Sequence, residues 1–154
     1  MLDTGDAMPE ATLVDADGVS FPLSRYRGRP LVVYFYPKAD TPGCTNEAKD
    51  FTELANQFDA AGVAVVGVSR DKPARLAKFR DKYGLKLLLA SDEDGAVCEA
   101  FGTWVEKSLY GRTYMGIARA TFLFDGEGKA VRVWPKVKVK GHAAEVLEAA
   151  KALG

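Results

Sequence analysis

LVVYFYPKADTPGCTNEAKDF, residues 31–51, decides how the rest of the chain is read. Its first six residues, LVVYFY (31–36), are too uniformly apolar for a half-exposed strand and predict one buried on both faces. Pro37 ends the run and a short polar loop follows. From Cys44 the apolar positions Ala48, Phe51, Leu54, Ala55 and Phe58 recur at helical spacing and give one continuous helix a face for a sheet. A buried strand passing directly into an amphipathic helix is the alternation of an α/β protein.

The pattern repeats outward from that stretch. Gly62 stops the helix, and VAVVGVS (63–69) is a second buried strand. DKPARLAKFRDKYG (71–84) predicts a helix with Pro73 in its first turn and Gly84 at its end. LKLLLAS (85–91) reads as a third strand and DEDGAVCEAFG (92–102) as a short helix. Residues 103–117, rich in Gly and Tyr, read as a loop in which Trp104 and Tyr110–Met115 border a pocket or a contact surface. RATFLFD (119–125), the DGEGK turn and AVRVWP (130–135) predict an antiparallel hairpin, and GHAAEVLEAAKALG (141–154) a closing helix. On the other side, ATLVD, a DADG turn with Gly18 free to take positive φ, and VSFPL form a first hairpin, followed by a helical turn at Ser24–Arg27.

With 154 residues and no linker or repeat, the chain reads as one domain, residues 1–154. Its net charge is zero, which argues against a nucleic-acid or membrane-surface partner. Lys136, Lys138 and Lys140 alternate with Val137 and Val139, the pattern of a strand with a solvated face. No apolar run reaches spanning length, and MLDTGDAMPEATL has no signal-peptide pattern, so the expected location is the cytoplasm. There thiols stay reduced, which argues against a disulfide between Cys44 and Cys98. His142 is the sole histidine, read as exposed and incidental, and no C-x-x-C or H-E-x-x-H spacing supplies zinc ligands. Redox chemistry in this chain therefore runs on a thiol, with no metal or other cofactor implied.

Cys44 is the thiol placed for it. Thr41 suits an N-cap, Pro42 the first helical position, and Gly43 a close approach of backbone to another group. Cys44 then falls in the first turn, where unpaired N–H groups and the helix dipole favour a thiolate, and where the Thr41 hydroxyl comes within reach of the sulfur. The competing reading is a buried thiol acting as a small hydrophobe. It loses weight because loops at the carboxyl ends of parallel strands are the usual ligand sites of open α/β sheets.

Pro37, Thr41 and Cys44 make P-x-x-x-T-x-x-C, which resembles the active-site signature of the peroxiredoxins. FYPKADTPGCTNEA resembles the peroxiredoxin Q, or bacterioferritin comigratory protein, subfamily. So do GDAMPEATLVDADG (5–18), GVSRD (67–71), YGRTYMGIARATFLFD (110–125) and KVKVKGHAAEVL (136–147). The resemblance implies a thioredoxin-like fold, with a central mixed sheet flanked by helices and an N-terminal β-hairpin. It also implies reduction of hydrogen peroxide or organic hydroperoxides through a sulfenic acid. Cys44 matches the peroxidatic cysteine, Thr41 the hydroxyl that orients peroxide, Pro37 the ring that shields the sulfur, and Arg119 the arginine beside the thiolate. Glu47, one turn after Cys44, is expected to anchor an arginine.

The chain departs from the subfamily where a resolving cysteine is expected. Lys49 stands five residues after Cys44, and Phe79 and Arg80 occupy the alternative place in the next helix. Cys98 is the remaining candidate, and its plainer reading is a core-packing residue. A one-cysteine mechanism follows, with an external thiol as reductant (thioredoxin, or glutaredoxin with glutathione) and a monomeric chain. Its rivals are resolution through Cys98, a thiol–disulfide oxidoreductase, and a redox-sensing or holdase-like binding domain. The oxidoreductase reading is weakened by Thr41 at the first position of C-x-x-C and by Ala120 where such proteins resemble one another in a cis-proline.

Overall fold

The computed structural model describes residues 1–153. In chain order they form β1 (Thr12–Asp15), β2 (Ser20–Pro22), a 3-10 turn (Leu23–Tyr26), β3 (Leu31–Phe35), α1 (Pro42–Glu53) and α2 (Ala55–Ala60). There follow β4 (Ala64–Ser69), α3 (Pro73–Tyr83), β5 (Leu88–Ser91), α4 (Ala96–Phe101), β6 (Trp104–Leu109) and β7 (Arg112–Ile117). The chain closes with β8 (Ala120–Phe124), β9 (Ala130–Trp134) and α5 (His142–Lys151).

Seven strands make one mixed sheet in the order β2-β1-β5-β4-β3-β8-β9, while β6 and β7 pair separately. β3 lies parallel to β4 and antiparallel to β8, and all five of its residues are buried. Alternation along the strand divides its side chains between two cores. Leu31, Val33 and Phe35 meet Phe122 and Phe124 of β8 and Val97 and Phe101 of α4 on one face. Val32 and Tyr34 meet Phe51 of α1, Phe79 of α3 and Val146 of α5 on the other. The Tyr34 ring stacks on Phe51 with centroids 4.7 Å apart, and it fills space left open by Gly67 on β4. A Cβ at Gly67 would stand 2.8 Å from that ring.

The fold differs from the sequence reading in five places. The helix expected through Phe58 breaks at Leu54 (φ −96°, ψ 4°), and α2 restarts at Ala55 with Phe58 beside Phe51. The third strand begins at Leu88, because left-handed Gly84 turns the Leu85 N–H back onto the Arg80 carbonyl to close α3. Residues 103–117 are a β-ribbon. Tyr110 (φ 50°) and Gly111 (φ 77°) make a two-residue turn with both centres left-handed, the geometry that matches strand twist. The lysine-rich segment 135–140 is not a strand: it bends, with the Val137 N–H donating to the Arg119 carbonyl at 2.9 Å.

His142, expected at the surface, is only 4% exposed. Left-handed Gly141 starts α5 so that His142 turns inward. There its Nε2 lies 2.8 Å from Thr121 Oγ1, and its ring meets Trp134 and Phe51 edge-on. Burial pushes this imidazole down to about 4.

Candidate active site

The loop between β3 and α1 is shaped by local rules and then held from outside. Thr41 has the extended backbone of an N-cap (φ −94°, ψ 156°), and its carbonyl accepts the Thr45 N–H at 2.8 Å. Its side chain does neither thing expected of it. Oγ1 donates to the Lys38 carbonyl at 2.8 Å, bonding neither to the helix N–H groups nor to the sulfur. Between the two, Asp40 takes a left-handed conformation (φ 63°) and closes the turn that brings Lys38 back to Thr41.

That strained residue is secured by α3. Tyr83 Oη donates to Asp40 Oδ1 at 2.6 Å and Lys82 Nζ to Oδ2 at 2.9 Å. Asp71 Oδ2 accepts the Ala39 N–H at 2.8 Å, and Arg75 donates to the Ala39 carbonyl at 3.1 Å. Sequence reasoning does not single out these clamp residues; an aspartate just before an N-cap threonine, in a loop that must turn sharply, is the available signal.

Cys44 sits in the first turn of α1, 2% exposed, and Arg119 reaches it from the junction of β7 and β8. Arg119 Nη2 donates to Cys44 Sγ at 3.4 Å, while Nη1 donates to Glu47 Oε1 at 2.7 Å. One planar guanidinium thus spans the thiol and the carboxylate one helical turn later, a fork that a lysine could not reproduce. Gly43 makes the approach feasible: a Cβ there would lie 3.1 Å from Arg119 Nη2. Glu47 is 2% exposed and its Oε2 has no hydrogen-bond partner. Burial therefore pushes its carboxyl up to about 7, against the pull of Arg119.

The other expected residues fall elsewhere. Pro37 is exposed at the rim of the loop. Cys98 is fully buried in α4, on the opposite face of the central sheet from Cys44. Its backbone N–H donates to Asp92 Oδ2 at 2.7 Å, and burial, reinforced by Asp92, raises its thiol well above the ordinary range. Lys49, on the outer side of α1, rests over the Tyr83 ring at 4.9 Å.

A helix-borne thiol held by an arginine fork on this sheet can now be set beside known proteins. The AhpC/TSA family profile matches residues 4–133. The chain is 45% identical to peroxiredoxin Bcp of Escherichia coli over 146 residues, covering 95% of this chain and 94% of that one. The chain belongs to the peroxiredoxins. Its thioredoxin-like fold superposes on PrxQ of Xylella fastidiosa with a TM-score of 0.93 at 38% identity, covering 99% of this chain and 97% of that one. The bacterioferritin comigratory protein of Xanthomonas campestris, solved as trapped intermediate and ligand complexes that bear on its alkyl peroxide reduction activity, gives 0.89 at 44% identity. The alignment covers 96% of this chain and 98% of that one.

This peroxiredoxin is accordingly a thiol peroxidase, an oxidoreductase acting on peroxides. One further charged side chain approaches the site, Lys107 on β6, which a loop reading of residues 103–117 passes over. Burial, then the charge of Arg119, lower its ammonium from the ordinary range, while Cys44 draws it back up. The overlooked signal is WVEKSL and RTYMGI, two strand-forming runs separated by a two-residue Tyr-Gly turn.

Proposed function

We propose that Cys44 is the peroxidatic thiol of a one-cysteine cycle that reduces hydrogen peroxide and organic hydroperoxides. The observation that carries this reading is the Arg119 fork, which spans Cys44 Sγ and Glu47. The thiolate attacks one peroxide oxygen, the S–O bond forms as the O–O bond breaks, and the departing oxygen leaves as water or an alcohol after taking a proton. Negative charge grows on that oxygen, so fixed donors aimed at it lower the barrier. The Thr41 hydroxyl directs its hydrogen at the Lys38 carbonyl, so its oxygen lone pairs stay free to accept a hydrogen bond from the peroxide and orient it. Pro37 covers the mouth of the loop.

The cycle closes with thiols from outside. One external thiol condenses with the Cys44 sulfenic acid, releasing water and leaving a mixed disulfide; a second thiol displaces Cys44 and is oxidised with the first. The placement of Cys98 supports this order, since the central sheet stands between the two sulfurs. Lys49 and Arg80, where a resolving thiol would stand, offer no sulfur. A monomer working in the cytoplasm with thioredoxin or a glutathione-linked reductant fits the same reading.

The test is turnover with dithiothreitol, joined to intact mass after graded peroxide. Cys44→Ser abolishes turnover, and Cys98→Ser keeps most of it. Without reductant the wild-type chain gains two or three oxygens on Cys44, because no local thiol traps the sulfenic acid. A loss of two hydrogens mapped to a Cys44–Cys98 bridge overturns the one-cysteine cycle, and activity in Cys44→Ser overturns the site.

A further inference from the structure

The guanidinium of Arg119 carries a single positive charge and serves two groups that can each become an anion. Nη2 reaches Cys44 Sγ at 3.4 Å and Nη1 reaches Glu47 Oε1 at 2.7 Å, and both acceptors are buried. A thiolate and a carboxylate together would leave one buried negative charge without a partner, which is costly. The two oxygens of Glu47 are also unequal. Oε1 takes the Arg119 bond, so a proton on this carboxyl belongs on Oε2. Oε2 is buried with no hydrogen-bond partner, as are the hydroxyls of Tyr34 and Tyr36. Ionised, Oε2 keeps unsatisfied lone pairs beside other orphaned oxygens; protonated, it is a donor among neutral acceptors.

The elements packed around this pair bring it no second cation partner. From β3, Tyr34 and Tyr36 stay neutral, since burial above all raises both phenols, and the charges of Glu47 and Cys44 add to it. From α5, burial keeps His142 neutral above about 4. Arg132 of β9 is paired with Glu145 of α5. On α1 itself, Asp50 adds a negative charge that disfavours a Glu47 carboxylate. Lys107 of β6 is lowered by burial and by Arg119 and drawn back by Cys44, yet among the described residues it forms no ion pair.

We propose that Cys44 and Glu47 hold one proton between them under the charge of Arg119, so that Glu47 takes up the proton Cys44 gives up on becoming a thiolate. This sharing rests on the reading of Cys44 as peroxidatic thiol and deepens it. The S–H bond of Cys44 breaks and an O–H bond forms on Glu47, with no change of oxidation state. Thiol, guanidinium and carboxylate sum to zero charge before the exchange; thiolate, guanidinium and carboxylic acid sum to zero after it. Protonated Glu47 still accepts from Nη1 through Oε1 but no longer neutralises Arg119. The full positive charge then serves the thiolate and the oxygen that departs from the peroxide. Burial, which raises the Glu47 carboxyl to about 7, brings its titration within range of an activated thiol. Glu47 is thus a positioning residue that acts through Arg119.

The experiment has two arms, both on the full chain. The first follows alkylation of Cys44 by iodoacetamide against pH, mapped by mass. Coupled groups give the wild type two rising steps with a shoulder between them, because the first proton lost comes partly from Glu47. Glu47→Gln keeps an acceptor for Nη1 without the competing charge, so its profile has a single step. Near neutral pH it is expected to react about tenfold faster than wild type, a displacement of about one pH unit. If Glu47 does no more than anchor Arg119, Glu47→Gln reacts at the wild-type rate or more slowly, and the proposal is overturned. The second arm needs no change at Glu47. Infrared spectra follow the carbonyl band of the carboxylic acid that persists near neutral pH, in wild type and in Cys44→Ser. Coupling between two sites is reciprocal, so the band should survive to a pH about one unit higher in wild type. Coincident titrations in the two chains overturn the proposal. Peroxide turnover by wild type and not by Cys44→Ser keeps the peroxidatic reading intact in either case.

Discussion

At the scale of single residues, the site depends on one guanidinium held at two ends and admitted by one missing methyl group. Arg119 touches Cys44 at 3.4 Å and Glu47 at 2.7 Å, and Gly43 gives it room. Two substitutions separate its charge from its position. Arg119→Ala removes the donor and should cut the second-order rate with peroxide about 10²–10³-fold, as loss of a fixed donor at a developing charge does. It also strands a buried carboxylate, so the Arg119→Ala/Glu47→Gln pair serves as the folded control. Gly43→Val keeps the guanidinium but forces it off the sulfur, since even a bare Cβ would stand 3.1 Å from Nη2. Slower peroxide reduction and slower alkylation of Cys44 at neutral pH are expected in both. A Gly43→Val chain that reacts at the wild-type rate means that the observed contact is not the one that matters.

At the scale of elements, β3 and its exit loop determine where the chemistry stands. The strand is legible in the sequence because both faces are buried, so its side chains are apolar without a break, and the Pro-Gly-Cys turn after it follows from capping rules. Gly43 is likewise readable as a close approach, though not what approaches. Other features lie outside local reading. Leu54 breaks a helix whose apolar spacing continues across the break, and period alone does not mark such an interruption of the backbone. Asp71 meets Ala39, and Tyr83 meets Asp40, across more than 30 residues, and a contact of that range leaves no mark on local composition. The same holds for Gly67, whose role exists only because β4 lies parallel to β3 and brings it beside Tyr34. Gly67→Ala places a methyl against a ring that Phe51 already stacks upon, and overpacking of this kind costs about 1–3 kcal/mol. Urea unfolding should report a lower midpoint with an unchanged slope. A midpoint equal to wild type requires the Tyr34 ring to move without cost.

Over the whole molecule, two buried titratable groups on the active-site side of the sheet oppose one another. Glu47, raised to about 7, keeps its proton in the folded chain at pH values where the unfolded chain has released it. Between its ordinary value of 4.5 and about 7 its contribution to stability therefore falls as pH rises. His142, lowered to about 4, stays neutral in the folded chain while the unfolded chain binds a proton. Between about 4 and its ordinary value of 6.5 its contribution rises with pH, so it is lost on acidification. The windows overlap and the signs are opposite. Each contribution amounts to roughly 3 kcal/mol across its window, because a tenfold change in proton affinity is worth about 1.4 kcal/mol. Wild-type stability should thus change little between pH 7 and pH 5 on account of this pair. Glu47→Gln leaves His142 unopposed, and its stability should fall on acidification relative to wild type. His142→Gln, which retains a side-chain partner for Thr121, leaves Glu47 unopposed, and its stability should rise as the pH is lowered over the same interval. Every other ionisable group is common to the three chains, so the differences between their urea midpoints at the two pH values isolate the pair. Three parallel pH profiles would sink the argument. Divergence with the signs given would mean that over this interval burial holds a proton on the Glu47 carboxyl and keeps one off the His142 imidazole, so that the two act on the pH dependence in opposite directions.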